Sequence, residues 1–202
     1  MIFKYKNYSI ETDDNVYEPS DDTYLLISAL ENIVLKKEFK VLEVGCGTGI
    51  ISISLSFQVE SAVACDINPY AVELTSKNFE RNKVHNVRVV GSDLFSNVSG
   101  KFDLIVFNTP YLPQSPDEAV SGSINHAWDG GADGRKVIDR FLSICPMFLS
   151  ERGSIVFLES SLSNYEKSIN YLEKKGFQVE IIGRQKLHFE ELVVICAVKI
   201  LS

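Results

Sequence analysis

No stretch of this 202-residue chain approaches the roughly 18 to 20 consecutive apolar residues that a membrane span requires. Its first residues, Met1-Ile-Phe-Lys-Tyr-Lys-Asn-Tyr8, lack the long apolar stretch of a secretory signal, so the cytoplasm is the expected compartment. Cysteine is scarce. The four present (Cys46, Cys65, Cys145, Cys196) form no C-x-x-C pair and have no matching histidine cluster, so no metal site is expected and the thiols read as reduced and structural. Cys65 and Cys196 fall inside apolar runs, where a thiol behaves as a small buried hydrophobe. Basic clusters are missing too. Lys and Arg number 20 against 27 acids, no run of five occurs, and the formal net charge is −7. Nucleic-acid binders normally show a basic face, because phosphate contacts supply most of their affinity. The balance therefore favours a protein or small-molecule substrate. There is also no internal repeat, low-complexity tract or long linker, and 45% of the residues are hydrophobic. Residues 1–202 are expected to form a single domain around one ample core.

What is present is an alternation of Val- and Ile-rich runs with segments of helical period, the pattern of βαβ units and a mostly parallel sheet. Strands are expected at 40–44, 61–65, 87–90, 103–107, 153–158, 178–182 and 191–199. The last two are separated by a short polar stretch that cannot hold a crossover helix, which predicts a C-terminal antiparallel hairpin. Pro19-Ser20-Asp21-Asp22 signals a helix start, with Ser20 as cap and two acids near the free amides. Leu25, Leu26, Ala29, Leu30, Ile33 and Val34 then repeat at helical spacing. Further helices are expected after Gly49, over about 69–81, over about 134–149, and over about 163–175, the last stopped by Gly176. Residues 112–133 carry Pro, Gly and the lone Trp128 without any period. A loop of this length reads as a lid or substrate-recognition loop, with a plain surface insertion as the alternative.

Four motifs carry chemistry. Val41-Leu-Glu-Val-Gly-Cys-Gly-Thr-Gly49 leaves a strand and enters a helix, and its glycines let the backbone turn tightly against a ligand. Such a turn alone is a weak signal. Glu43 sharpens it, because a carboxylate there would repel a pyrophosphate but tolerate a cationic sulfonium and its amino acid part. Asp66, in Cys65-Asp-Ile-Asn-Pro69, lies at a second strand's end, placed to hydrogen-bond ribose hydroxyls; capping of the next helix is already served by Asn68 and Pro69. Asp93 and Leu94, after a third strand, suit an adenine amine and ring, although Ser-Asp pairs also make ordinary turns. Finally, Asn108-Thr-Pro-Tyr111 follows the apolar run 103–107. The Asn108 side-chain oxygen and the Thr109 main-chain carbonyl could grip the two N–H bonds of a planar NH2 group. Pro110 would fix that carbonyl's direction and Tyr111 would wall the group.

With these motifs the chain resembles the HemK-like glutamine N5-methyltransferases, which modify the glutamine of the Gly-Gly-Gln loop of translation termination factors. More narrowly, it resembles their archaeal and eukaryotic branch, which starts near a segment like Val16-Tyr-Glu-Pro-Ser-Asp-Asp-Thr-Tyr-Leu-Leu26 and lacks a separate N-terminal helical domain. The likeness continues through Asp66-Ile-Asn-Pro69 and Asn108-Thr-Pro-Tyr111 to Ala127-Trp-Asp-Gly-Gly-Ala-Asp-Gly-Arg-Lys-Val-Ile-Asp-Arg-Phe141, and so covers nearly the whole chain. It implies an α/β fold of the class I S-adenosylmethionine-dependent methyltransferase (Rossmann-like) type, mostly parallel with the C-terminal antiparallel hairpin that plain dinucleotide folds lack. It implies S-adenosyl-L-methionine as cofactor, held by Thr23, Glu43, Gly45, Asp66, Asp93, Leu94 and Asn108, and catalysis at Asn108, Thr109, Pro110 and Tyr111. The implied substrate is a translation release factor. The implied partner is a small zinc-binding activator protein that covers an apolar edge of the sheet. The family's acceptor motif reads Asn-Pro-Pro-Tyr, so Thr109 gives up ring-locked rigidity at the second position.

Other readings use parts of the same pattern. An adenine N6 or guanine N2 amine in RNA or DNA would fit the same grip, and a lysine-methylating side activity is a further alternative. A nucleotide-binding oxidoreductase is disfavoured by Glu43 and the hairpin, and a cofactor-binding scaffold by intact Glu43, Asp66 and Asn108.

Overall fold

The computed structural model describes residues 1–113 and 130–200. Of the loop expected at 112–133, residues 114–129, including Trp128, lie outside the described residues. A small hairpin, β1 (Ile2–Tyr5) and β2 (Tyr8–Glu11), leads through 12–20 to helix α1 (Asp21–Leu30). Then follow β3 (Lys40–Val44), α2 (Ile50–Ser56), β4 (Ser61–Asp66), α3 (Pro69–Arg81), β5 (Val87–Gly91) and β6 (Phe102–Asn108). The chain ends with α4 (Lys136–Ile144), β7 (Leu149–Ser160), α5 (Tyr165–Lys174), β8 (Phe177–Lys186) and β9 (Glu191–Lys199). Strands β3 to β9 make one sheet in the order β5-β4-β3-β6-β7-β9-β8. Pairings from β5 to β7 are parallel, and β9 runs antiparallel between β7 and β8. The expected hairpin is present, with β9 inserted beside the parallel strands.

The sheet's central strands are apolar on consecutive residues because both faces are covered. Along β6, Leu104 and Val106 join the cluster with Leu26 and Ile27 of α1 and Ile50 and Ile53 of α2. Ile105 and Phe107 face the other way, towards Ile138 and Phe141 of α4 and Leu172 of α5. This parity decides which residues at the strand ends can reach the site.

Three local expectations are corrected. The helix read over 134–149 is shorter. It ends at Ile144 and gives way to a 3-10 turn at Cys145–Phe148, where Pro146 has no N–H to continue the α ladder. The first helix stops at Leu30: Asn32 and Ile33 donate to carbonyls three residues back, which tightens the last turn and leaves Val34 87% exposed. Ser20 occupies the N-cap but makes no side-chain cap bond, and Asp22 instead takes the Thr23 N–H at 2.5 Å.

The hairpin of β1 and β2 has no counterpart in the sequence reading, since four-residue strands give too little alternation to detect. Two α3 side chains hold it. Asn82 accepts from Ser9 N and donates to Ser9 O, both at 2.9 Å. Asn78 repeats the pattern on Glu11 at 2.8 and 2.9 Å. The spacings match, because four helical residues rise about 6 Å and two strand residues about 6.8 Å.

Candidate active site

A cavity of about 300 Å³ opens at the carboxyl ends of β3, β4 and β6, where the strand order reverses direction. One side is built by the glycine turn. Gly45 has φ +66°, and a Cβ there would stand 2.9 Å from the Phe107 ring, so only glycine lets β3 end flush with β6. Asp66 braces the turn: Oδ2 accepts from Gly47 N and Oδ1 from Asn68 N, each at 2.9 Å. Asn68 caps α3 by accepting from Tyr70 N at 3.0 Å. Asp66, Ile67, Asp93 and Leu94 line this end of the cavity, two carboxylates beside two apolar walls. Asp93 also pairs with Arg140 at 2.9 Å, a half-exposed ion pair worth little to stability.

Two expected cofactor contacts are placed differently. Glu43 does not line the cavity. It has the parity of Val41, on the α2 face, and is buried there, its Oε2 accepting from Ser52 N at 2.9 Å and from Ser52 Oγ. It therefore ties the start of α2 to β3 from beneath the turn. Thr23 is likewise buried off the cavity, and its neighbour Asp22 lines it instead. Thr23 Oγ1 lies 3.4 Å from Asn108 Nδ2, so it touches the acceptor motif.

Burial pushes the Glu43 carboxyl up to about 8, with Asp66 adding to the shift and the Ser52 bonds opposing it. The folded chain then holds a proton that the unfolded chain releases near its ordinary value of 4.5. Stability from this group is full below about 4.5 and is lost as pH rises to about 8. Buried Glu159, raised to about 7 against the pull of Arg135, adds slope in the same direction. Glu43→Gln, which keeps an acceptor for Ser52 N, should flatten the fall in Tm between pH 5 and 8 and leave the Glu159 part. An unchanged slope would mean that Glu43 is charged in the folded protein.

The acceptor corner is assembled from three segments. At the end of β6, Asn108 Nδ2 donates to Asp22 Oδ2 at 3.2 Å, while Asn108 Oδ1 is buried and has no hydrogen-bond partner among the described residues. Tyr17 donates to the same Asp22 oxygen at 2.9 Å. Thr109 turns its hydroxyl away from the cavity's acceptor side to donate to Leu158 O of β7 at 2.5 Å. That bond fixes Thr109 to the sheet and substitutes for the rigidity of a proline ring. Tyr111 is half-buried and lines the cavity, and burial raises its phenol.

From the far side, Gly130 to Gly134 press on the backbone of this motif. Gly130 N donates to Leu112 O at 3.2 Å, and a Cβ on Gly134 would stand 2.3 Å from Tyr111 O. Arg135 pins the segment. Its guanidinium, 4% exposed, bonds Asp139, Glu159, Ser168 and the carbonyls of Ser163 and Asn164 at 2.7 to 3.2 Å. Sequence reasoning missed Tyr17, Asp22, Ile67, Phe107, Lys136 and Arg140 as lining residues. Asp22 was legible only as an acid in a helix's first turn.

The residues suit a sulfonium nucleoside. The glycine turn lies between carboxylates, apolar side chains are placed for a planar ring, and a buried acceptor oxygen waits nearby. A sheet of this order, with a reversed terminal hairpin and this cavity, defines a class I S-adenosylmethionine-dependent methyltransferase. The Methyltransferase small domain family matches residues 8–188. A Methanocaldococcus jannaschii protein named for protein N5-glutamine methyltransferase activity is 46% identical over 198 residues, 98% of both chains. Human methyltransferase HEMK2 is 38% identical over 172 residues, 81% of this chain and 80% of its own. The Mtq2 structure of E. cuniculi, solved with Trm112 and described as responsible for methylation of the termination factor eRF1, superposes with a TM-score of 0.73. It shares 28% identity and covers 92% of this chain and 99% of its own. The chain belongs to the HemK-like protein-glutamine N5-methyltransferases.

Proposed function

We propose that this protein methylates the side-chain amide N5 of the glutamine in the Gly-Gly-Gln motif of a translation release factor. The observation that carries the reading is Asn108, its NH2 group anchored and its oxygen buried without a donor among the described residues. An unsatisfied buried acceptor costs about 1 to 3 kcal/mol and calls for an explanation, which an incoming N–H supplies. Asn108 Oδ1 and the Thr109 carbonyl accept the two N–H bonds of the substrate amide and orient its nitrogen, whose lone pair is otherwise delocalised into the carbonyl. S-adenosylmethionine, when bound, supplies an electrophilic methyl on sulfur. Asp66 holds the ribose, Asp93 and Leu94 the adenine, with Ile67 as a second wall, and Gly45 allows close backbone approach. Glu43 supports the turn, and Thr23 supports Asn108. As the new N–C bond forms, the C–S electron pair returns to sulfur and an amide proton leaves to water, so alignment and electrostatics supply the acceleration.

The chain acts as one domain in the cytoplasm; no helix among the described residues is long and apolar enough to cross a membrane. Its partner is a small zinc-binding activator protein; the Trm112 bound in the Mtq2 structure supports the presence of a partner, not its zinc. The β5 edge suits it. That strand carries Val87, Val89 and Val90 half-buried with a single charge, Arg88, whereas β8 at the other edge exposes Glu180, Arg184 and Lys186.

Intact-mass analysis tests the function. A release factor incubated with enzyme, activator and methyl donor should gain one methylene, mapped to the Gly-Gly-Gln glutamine, while tRNA and rRNA stay unmodified. Methylated RNA with an unmodified factor would overturn the proposal in favour of a nucleic-acid amine.

A further inference from the structure

Asp22 makes contacts that its place in the first turn of α1 does not explain. Its Oδ1 behaves as a helix-start acid should, accepting from Thr23 N at 2.5 Å and Thr23 Oγ1 at 3.1 Å. Its Oδ2 instead takes two donors from elsewhere, Tyr17 OH at 2.9 Å and Asn108 Nδ2 at 3.2 Å, the latter 86 residues away. The side chain is 5% exposed although it belongs to the cavity lining.

A carboxamide has nearly the same shape either way round, and only its partners decide which end is oxygen. A carboxylate accepts and cannot donate. Asp22 therefore draws the NH2 of Asn108 to itself and sends the oxygen to the other limb, where it lies buried without a partner among the described residues. Thr23 Oγ1, donating to Asp22, accepts from the same nitrogen and reinforces the choice.

We propose that Asp22 is a positioning residue of the transfer reaction: it fixes the handedness of the Asn108 carboxamide, so that an oxygen meets the substrate amide. Through Tyr17 the same carboxylate also ties this setting to the 12–20 segment beside the cavity. The proposal rests on the glutamine-methylating function above. With Asn108 reversed, an NH2 would confront the substrate NH2, donor against donor, and the grip on the amide would be lost.

Asp22→Asn tests this at nearly constant volume. Thr23 N requires an oxygen at the Oδ1 position, so the new NH2 would occupy the Oδ2 position and force Asn108 to reverse. Single-turnover transfer to the Gly-Gly-Gln factor at saturating methyl donor should fall about 10- to 100-fold, with KM for the factor and Tm little changed. Asn108→Asp alone sets two carboxylates face to face and should fall further. In the double variant Asp22→Asn/Asn108→Asp, the amide at 22 donates to the acid at 108, whose second oxygen again faces the substrate. Transfer should then recover about tenfold or more over Asn108→Asp. Normal transfer by Asp22→Asn, or a double variant no better than Asn108→Asp, would overturn the proposal. A readout without substrate separates this from failure of the functional assignment. The Asn108 side-chain NH2, observed by NMR, should exchange with solvent about tenfold faster in Asp22→Asn. Unchanged exchange overturns the positioning role even if the wild-type protein methylates no release factor.

Discussion

Asn108→Ala is expected to lower single-turnover methyl transfer by about a thousandfold while shifting the dissociation constant for S-adenosylmethionine no more than a few-fold. Alanine deletes the buried oxygen that would receive the substrate N–H and leaves the cofactor end of the cavity, with Asp66, Ile67, Asp93 and Leu94, untouched. It also frees Asp22 Oδ2 from one of its two outside donors, leaving Tyr17 in place. Because the lost contact forms with the acceptor amide, the cost falls on the chemical step. Rapid-quench transfer and calorimetric binding on the same preparation check it. If affinity for the methyl donor collapses along with transfer, Asn108 serves the cofactor and its acceptor role is lost.

Gly134→Ala should destabilise the protein by about 3 kcal/mol and reduce transfer about a hundredfold. The residue sits at φ +72°, and an added Cβ would stand 2.3 Å from Tyr111 O and 3.2 Å from the Ser163 Cβ. The nearest obstacle is backbone, so no rotamer change relieves it. Arg135, held by five groups, prevents the segment from backing away. The Tyr111 peptide must therefore move, and with it the wall of the acceptor corner. Gly100→Ala is the control. It has φ +99° with nothing within 4 Å, so it isolates the backbone strain of about 1 kcal/mol. Thermal unfolding and transfer rates of the two variants separate strain from collision. Equal losses would show that the Tyr111 contact has no weight.

The sheet was largely legible because its signal is local. Strands β3, β4 and β5 are runs of mostly apolar β-formers closed by Gly45, Asp66 and Gly91, β6 is one closed by Asn108, and the short gap before Glu191 forces a hairpin whatever the tertiary context. The acids Asp66 and Asp93 were legible for the same reason, since the end of a parallel strand opens on the cavity. Glu43 shows the limit. Its position by a glycine turn suggested ligand contact, but facing is set by strand parity, and one residue's shift sends a side chain under the turn instead of over it. Asp22 shows the converse: it is the helix-start acid that its position predicts, but its second role is illegible in sequence because that contact bridges α1 and β6. Helix ends at Leu30 and Ile144 depended on turn tightening and on Pro146, and the β1 and β2 hairpin on asparagines some 70 residues away.

Those asparagines bear on how the protein behaves in a crowded solution. A two-stranded ribbon ordinarily offers an open flank of main-chain donors and acceptors to any passing polypeptide. Here the outward groups of Ser9 and Glu11 are already engaged by Asn82 and Asn78. The helix thus mimics a third strand with side chains alone, and the β2 flank of the ribbon is closed to strand addition.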